Sequence, residues 1–214
     1  MLVVPAFVLA LFLQPAAIVS AHPQQPPAAK PHIAPSTLMP QPPSLPKVDL
    51  NSCPFEGCQF GNWRATASVI VYSNWNSARK PVATLAKGDE VTALTGVSLI
   101  LQPGKGTFER DVPAYGARKD DTAYFYRNCG EGAVDMWVRG RFFACAEASF
   151  SWPDDEGCLK NCDGRGLSHT RSQWWAQVRL KDGRTGWVLV KSNFDGTDAL
   201  ARSLPRLPRQ ESYW

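Results

Sequence analysis

Residues 174–190, WWAQVRLKDGRTGWVLV, read as a β-hairpin and decide the fold class of the chain. Two strand-like runs, Trp174 to Leu180 and Thr185 to Val190, flank Lys181-Asp182-Gly183-Arg184. An Asp-Gly pair between such runs favours a tight turn, because both central residues then need positive φ. Side chains alternate across a strand, so Ala176, Val178 and Leu180 share one face. The same rule sends Trp174 and Trp175 to opposite faces. One core cannot hold both, so one of them is expected to be exposed or covered by other chain.

Upstream, β-forming runs are again punctuated by turn residues. Val69 to Tyr72 is a short strand, Ser73 to Pro81 a polar loop, and Val82 to Leu85 a second strand. Lys87-Gly88-Asp89 then turns the chain into Val91-Thr92-Ala93-Leu94. Between residues 97 and 173 the pattern continues. Ala123 to Tyr126 and Met136 to Val138 are strand-like, with Gly130 and Gly132 between them, and Arg139-Gly140 turns into Arg141-Phe142-Phe143. A polar, cysteine-bearing loop, Pro153 to Gly166, closes this part. The predicted class is mostly β.

The stretch VIVYSNWNSARKPVATLAKGDEVTAL (69–94) and the hairpin resemble the two halves of a bacterial SH3-like (SH3b) domain. The first is similar to the family's opening strand, variable loop and L-x-x-G-[DE]-x-V turn. The second carries W-x-x-V-R-x-x-D-G-R-x-G-W-V, the family's most specific run. The span from CPFEGC to NFDGTDALA also looks like a group of secreted bacterial SH3-like proteins. The resemblance implies a small SH3-like barrel in residues 48–200, with halves 63–96 and 174–194 separated by an inserted β subdomain, 97–173. It further implies an exported binding module for peptidoglycan peptide or protein ligands in the cell envelope.

The ends of the chain read differently. Met1 to Ala21 is an uncharged apolar run ending in Val19-Ser20-Ala21, which fits a signal peptide cut after Ala21. Pro5, Gln14 and Pro15 interrupt it, leaving less than the roughly 20 apolar residues that a membrane span needs. The protein is therefore expected to be secreted or periplasmic and not membrane-embedded after cleavage. Residues 22–47 hold nine prolines and read as a disordered linker with polyproline-II character. Residues 201–214 read as a flexible basic tail. These arms hold the whole excess of positive charge, since residues 48–200 balance eighteen basic against eighteen acidic side chains. Nucleic-acid binding, which concentrates positive charge on a folded face, is not expected.

Six cysteines in an exported chain point to disulfides. Short spacing favours Cys53–Cys58 and Cys158–Cys162, which leaves Cys129–Cys145 across a predicted hairpin. Each would contribute roughly 2–3 kcal/mol by restricting the unfolded chain. The alternative is a zinc site of Cys53, Cys58, Cys158 and Cys162, but those spacings are loose for zinc and export disfavours free thiolates. No metal or cofactor is expected. His169 stands alone as a candidate imidazole, because His22 and His32 lie in the linker. Asp154-Asp155-Glu156 could bind calcium or pair for hydrolysis, but beside Pro153 and Gly157 it reads as a solvated turn. No catalytic residues are assigned.

Aromatic side chains carry the remaining signal. Tyr72, Trp174, Trp175 and Phe194 are the candidate ligand platform. Gly186-Trp187-Val188 followed by Ser192-Asn193-Phe194 resembles the closing strand of eukaryotic SH3 domains, which helps to line a proline groove. The tail residues Arg202, Pro205 and Pro208 fit an Arg-x-x-Pro-x-x-Pro ligand, so the tail is a candidate self-ligand. A structural exported protein with no ligand site, or a small hydrolase using the insertion carboxylates, are the alternatives.

Overall fold

A computed structural model describes residues 36–153, 158 and 160–202. The expected signal peptide (residues 1–21), residues 22–35 of the linker, Asp154-Asp155-Glu156, and Pro205 and Pro208 of the tail lie outside the described residues.

The chain is mostly β. Its early strands are β1 (Ser36–Leu38), β2 (Lys47–Leu50), β3 (Gly61–Ala65), β4 (Val69–Tyr72), β5 (Pro81–Leu85), β6 (Glu90–Gln102) and β7 (Gly104–Phe108). Then come β8 (Thr122–Gly130), β9 (Ala133–Val138), β10 (Arg141–Ala146), β11 (Phe150–Ser151) and β12 (Gly164–Ser168). The last are β13 (Arg171–Arg179), β14 (Thr185–Val190) and β15 (Phe194–Asp195). Among the described residues no helix is long and apolar enough to cross a membrane.

The first sheet has the order β15-β3-β6-β13-β14-β4-β5, with β2 added beside β6, and it curls into a half-barrel. The hairpin forms, with β13 and β14 paired antiparallel from Trp174↔Val190 to Arg179↔Thr185. Its turn differs from the expected one: only Gly183 of the Asp-Gly pair has positive φ, and Leu180 donates its N–H to the Arg184 carbonyl at 2.8 Å across a three-residue loop. Gly183 takes φ +85° in the turn. Ala176, Val178 and Leu180 face the core with Val188, Val71, Val91 and Trp63. Gly186 is required there by close approach, since a Cβ would strike the Val71 side chain.

The second sheet has the order β1-β10-β9-β8-β7-β12-β11 and its own core around Phe108, Phe125, Met136, Phe143 and Phe150. It grows from the far end of the long β6–β13 ribbon, which pairs from Arg179↔Thr92 to Arg171↔Gln102. Two short crossings, Pro103 and His169-Thr170, carry the chain between the sheets. Thr170 stitches them: its hydroxyl accepts from the Gly104 N–H at 3.2 Å and donates to the Phe125 carbonyl at 2.9 Å.

Two expectations are corrected here. The first sheet does not end at residue 96. β6 continues through Gln102, because Val97 to Ile100 stays paired with β2 on one side and β13 on the other. Nor is the linker unstructured up to Lys47. β1 pairs along β10, Ser36↔Phe143 to Leu38↔Arg141, while β2 pairs along β6. A sheet edge presents unpaired backbone groups, and an extended segment can satisfy them without a core of its own. Pro40, Pro42, Pro43 and Pro46 all fall between β1 and β2, where no ladder N–H is needed. Residues 36–50 thus form a strap with one strand in each sheet. It is fixed further where the Trp137 indole N–H donates to the Met39 carbonyl at 2.8 Å.

All six cysteines are in disulfides, Cys53–Cys58, Cys129–Cys145 and Cys158–Cys162, so no thiolate is left for zinc. Such bridges require an oxidising environment to form. Cys129–Cys145 joins β8 to β10, not the arms of one hairpin, although β9 lies between them in the pairing order. Irregularities in the register on both strands, with Cys145 at φ +52°, bring the two Cα atoms to 5.6 Å.

Candidate binding cleft

The four aromatics of the candidate platform separate into two groups on opposite faces of the first sheet. Trp174 and Phe194 are core residues. Both rings pack on Trp63 at 5.5 Å, and the Trp174 indole N–H donates to the Ser52 carbonyl at 3.1 Å. Trp174 is therefore held by the first sheet and the Cys53–Cys58 loop, with Phe55 5.7 Å from its ring. Tyr72 and Trp175 meet on the outer face, their rings 5.7 Å apart. Trp175 is only 2% exposed. Part of its cover is the 73–80 loop, whose Arg79 guanidinium sits 5.1 Å from the Trp175 ring and 5.8 Å from Tyr72. A single platform of all four residues is not assembled.

The inserted sheet creates a different site. A cleft of about 600 Å³ opens where the two sheets meet. Ser98, Ile100 and Ser172 contribute the first-sheet wall, and Phe125, Phe150, Trp152 and His169 the aromatic wall. That volume suits a small ligand or a few residues of peptide.

Local sequence explains the aromatic wall. Gly104-Lys105-Gly106 on β7 and Gly164-Arg165-Gly166 on β12 are antiparallel partners, with Gly166↔Gly106 and Gly164↔Phe108 in register. Alternation places their glycines on one face, giving a floor without side chains. A Cβ at Gly106 would lie 2.8 Å from the Phe150 ring and 2.9 Å from Phe125. One at Gly166 would enter the Trp152 ring. The aromatics rest directly on backbone and contact one another in sequence: Phe125–Phe150 edge to face at 4.9 Å, Phe125–Trp152 edge to face at 5.6 Å, and Trp152–His169 nearly parallel at 4.6 Å. His169, which reads from sequence as an isolated loop histidine, is thus the last ring of the wall.

Polar groups gather at one end, where Arg127, Asn128, Glu131 and Glu147 line the cleft. Arg127 is committed inward. Its Nε donates to Asp135 at 3.1 Å and lies 3.7 Å from Asp49. Burial works against its charge, but the hydrogen bond and charge of Asp135, with that of Asp49, outweigh it and raise its pKa above the ordinary value. Tyr126, also on the cleft, is 3% exposed; burial, with a smaller contribution from Tyr124, pushes its phenol up to about 12.

A second groove, of about 590 Å³, runs over the first sheet between Arg64, Glu90, Arg179 and Asp195. It is shallower in chemistry: Arg64 and Glu90 pair with each other at 2.7 Å, and it carries little aromatic surface beyond the edge of Trp63.

Sequence reading passed over the cleft because its walls come from strands far apart in the chain. The alternating glycines of GKG and GRG were a usable signal, since glycine within a strand marks close approach by another group. No family model matches the chain, and no curated protein or solved structure matches it significantly.

Proposed function

We propose that the chain is an exported, non-catalytic binding module, secreted or periplasmic, whose first sheet is an SH3b-like scaffold and whose ligand site is the aromatic cleft. The ligand is a peptide of the cell envelope, either in peptidoglycan or in a protein partner. The observation that carries this reading is the stacked pair Trp152 and His169, backed by the buried Phe125 and Phe150, in a cleft of about 600 Å³ that also has polar lining. Aromatic surface with a few placed polar groups is the general design of a ligand pocket. The hairpin with its Asp-Gly turn supports the SH3b-like scaffold, and the three disulfides support export.

Pelleting with purified cell-wall sacculi tests the reading. The protein is expected to co-sediment, and Trp152→Ala to weaken this by tenfold or more with folding intact by circular dichroism. Failure to sediment, with no envelope protein captured in a Trp152-dependent way, would refute it.

A further inference from the structure

The charges around the cleft do not cancel. Besides the Tyr126 phenol, its ionisable lining is Arg127, Glu131, Glu147 and His169. Arg127 belongs to an inward cluster of Lys47, Asp49 and Asp135, in which two positive and two negative groups balance. Glu131 and Glu147 are exposed at the mouth, and among the described residues no cation forms an ion pair with either. The cleft therefore presents two unmatched carboxylates next to a continuous aromatic wall.

We infer that the group recognised in the cleft is a cationic amine carried on an apolar stem, as on the side chain of a lysine or other diamino acid. The stem lies against Trp152, which Phe125 and Phe150 back from the core, and the ammonium reaches Glu131 and Glu147. Two physical effects favour this occupant over a neutral or anionic one. Aromatic faces attract ammonium groups, and more strongly when the contact is desolvated. Charge-assisted hydrogen bonds to carboxylates are roughly twice as strong as neutral ones. An anionic ligand would meet Glu131 and Glu147 with no described cation free to offset them. This inference rests on the cleft being the ligand site.

The test compares sacculi with free amines and the same sacculi after N-acetylation with acetic anhydride, using the full mature chain. Acetylation keeps the stem and removes the charge. Binding is expected to fall at least tenfold on acetylated sacculi. Glu131→Gln and Glu147→Gln are expected each to lose about threefold on native sacculi and nothing further on acetylated ones. Both side chains are exposed, so neither variant should impair folding, and matched melting temperatures check this. Equal binding to the two preparations, with Trp152→Ala still defective, would overturn the amine while leaving the cleft standing. Loss on acetylation with both glutamine variants unaffected would also overturn it, by placing amine recognition elsewhere. Binding to neither preparation would overturn recognition of a sacculus amine, and with no envelope protein captured in a Trp152-dependent way it would overturn the underlying reading as well.

Discussion

The Asp135 carboxylate is buried on β9 beneath the Arg127 guanidinium, 3.1 Å from its Nε, and accepts the Cys145 N–H at 3.1 Å. Lys47 of the strap approaches the same carboxylate at 3.7 Å. One buried charge thus ties together the strap, the cleft wall and the disulfide-bearing bulge. Removing one partner of a buried pair leaves the others uncompensated. Asp135→Ala is expected to destabilise the fold by about 3 kcal/mol in urea unfolding. Asp135→Asn, which keeps an acceptor for the Cys145 N–H, should lose less. Equal stability of the alanine variant would show that the cluster does not hold the strap.

Gly166→Ala should disturb the cleft selectively. The added methyl group enters the space of the Trp152 ring, and overpacking of this kind costs about 1–3 kcal/mol. Tryptophan emission should shift to longer wavelength as the ring is displaced, and sacculus binding should weaken along with it. Gly183→Ala serves as the control: the turn position has open space around it, and only its positive φ is strained. That variant should lose stability without losing affinity.

The hairpin and the inward face of β13 were legible in the sequence because their signals are local. Alternation fixed the inward set Ala176, Val178 and Leu180, and the Asp-Gly pair located the turn, though the loop holds Lys181 as well and the register differs by one residue from that of a two-residue turn. The strap was not legible. Ser36-Thr37-Leu38 has no periodic pattern and lies among prolines, and it becomes a strand only because the edge of β10 is open to pair with it. Trp175 misled for a related reason. Alternation correctly placed it opposite Trp174, but its neighbours on that outer face include Tyr72 and Arg79, about a hundred residues earlier in the chain. The cleft escaped notice because Phe125, Trp152 and His169 meet only once β7, β8 and β12 have been assembled.

Arg79→Ala is expected to uncover the outer face. With the guanidinium gone, Trp175 and Tyr72 lose their lid, and iodide should quench a larger fraction of the tryptophan emission than in the parent protein. An unchanged accessible fraction would mean that other groups bury Trp175.

Tyrosine ionisation, followed by absorbance near 295 nm, should separate the phenols. Tyr126 holds its proton up to about 12, and burial, with the charges of Asp163 and Glu147, also raises Tyr115. An unfolded tyrosine ionises near pH 10. Between about 10 and 12 the native state therefore binds more protons than the unfolded state, and stability falls as pH rises through that window. Below pH 10 this contribution is complete. Two phenols should titrate late in the native protein and with the others in urea. A single transition near pH 10 in the native protein would contradict the burial of Tyr126.

The account turns on which aromatic surface meets the ligand, and one measurement compares the two candidates. Sacculus affinity is determined for the parent chain, Trp152→Ala and Arg79→Ala at one ionic strength. The cleft reading predicts at least a tenfold loss for Trp152→Ala and parent-like affinity for Arg79→Ala. Parent-like affinity for Trp152→Ala, with a loss confined to Arg79→Ala, would contradict it and move the site to the outer face of Tyr72 and Trp175.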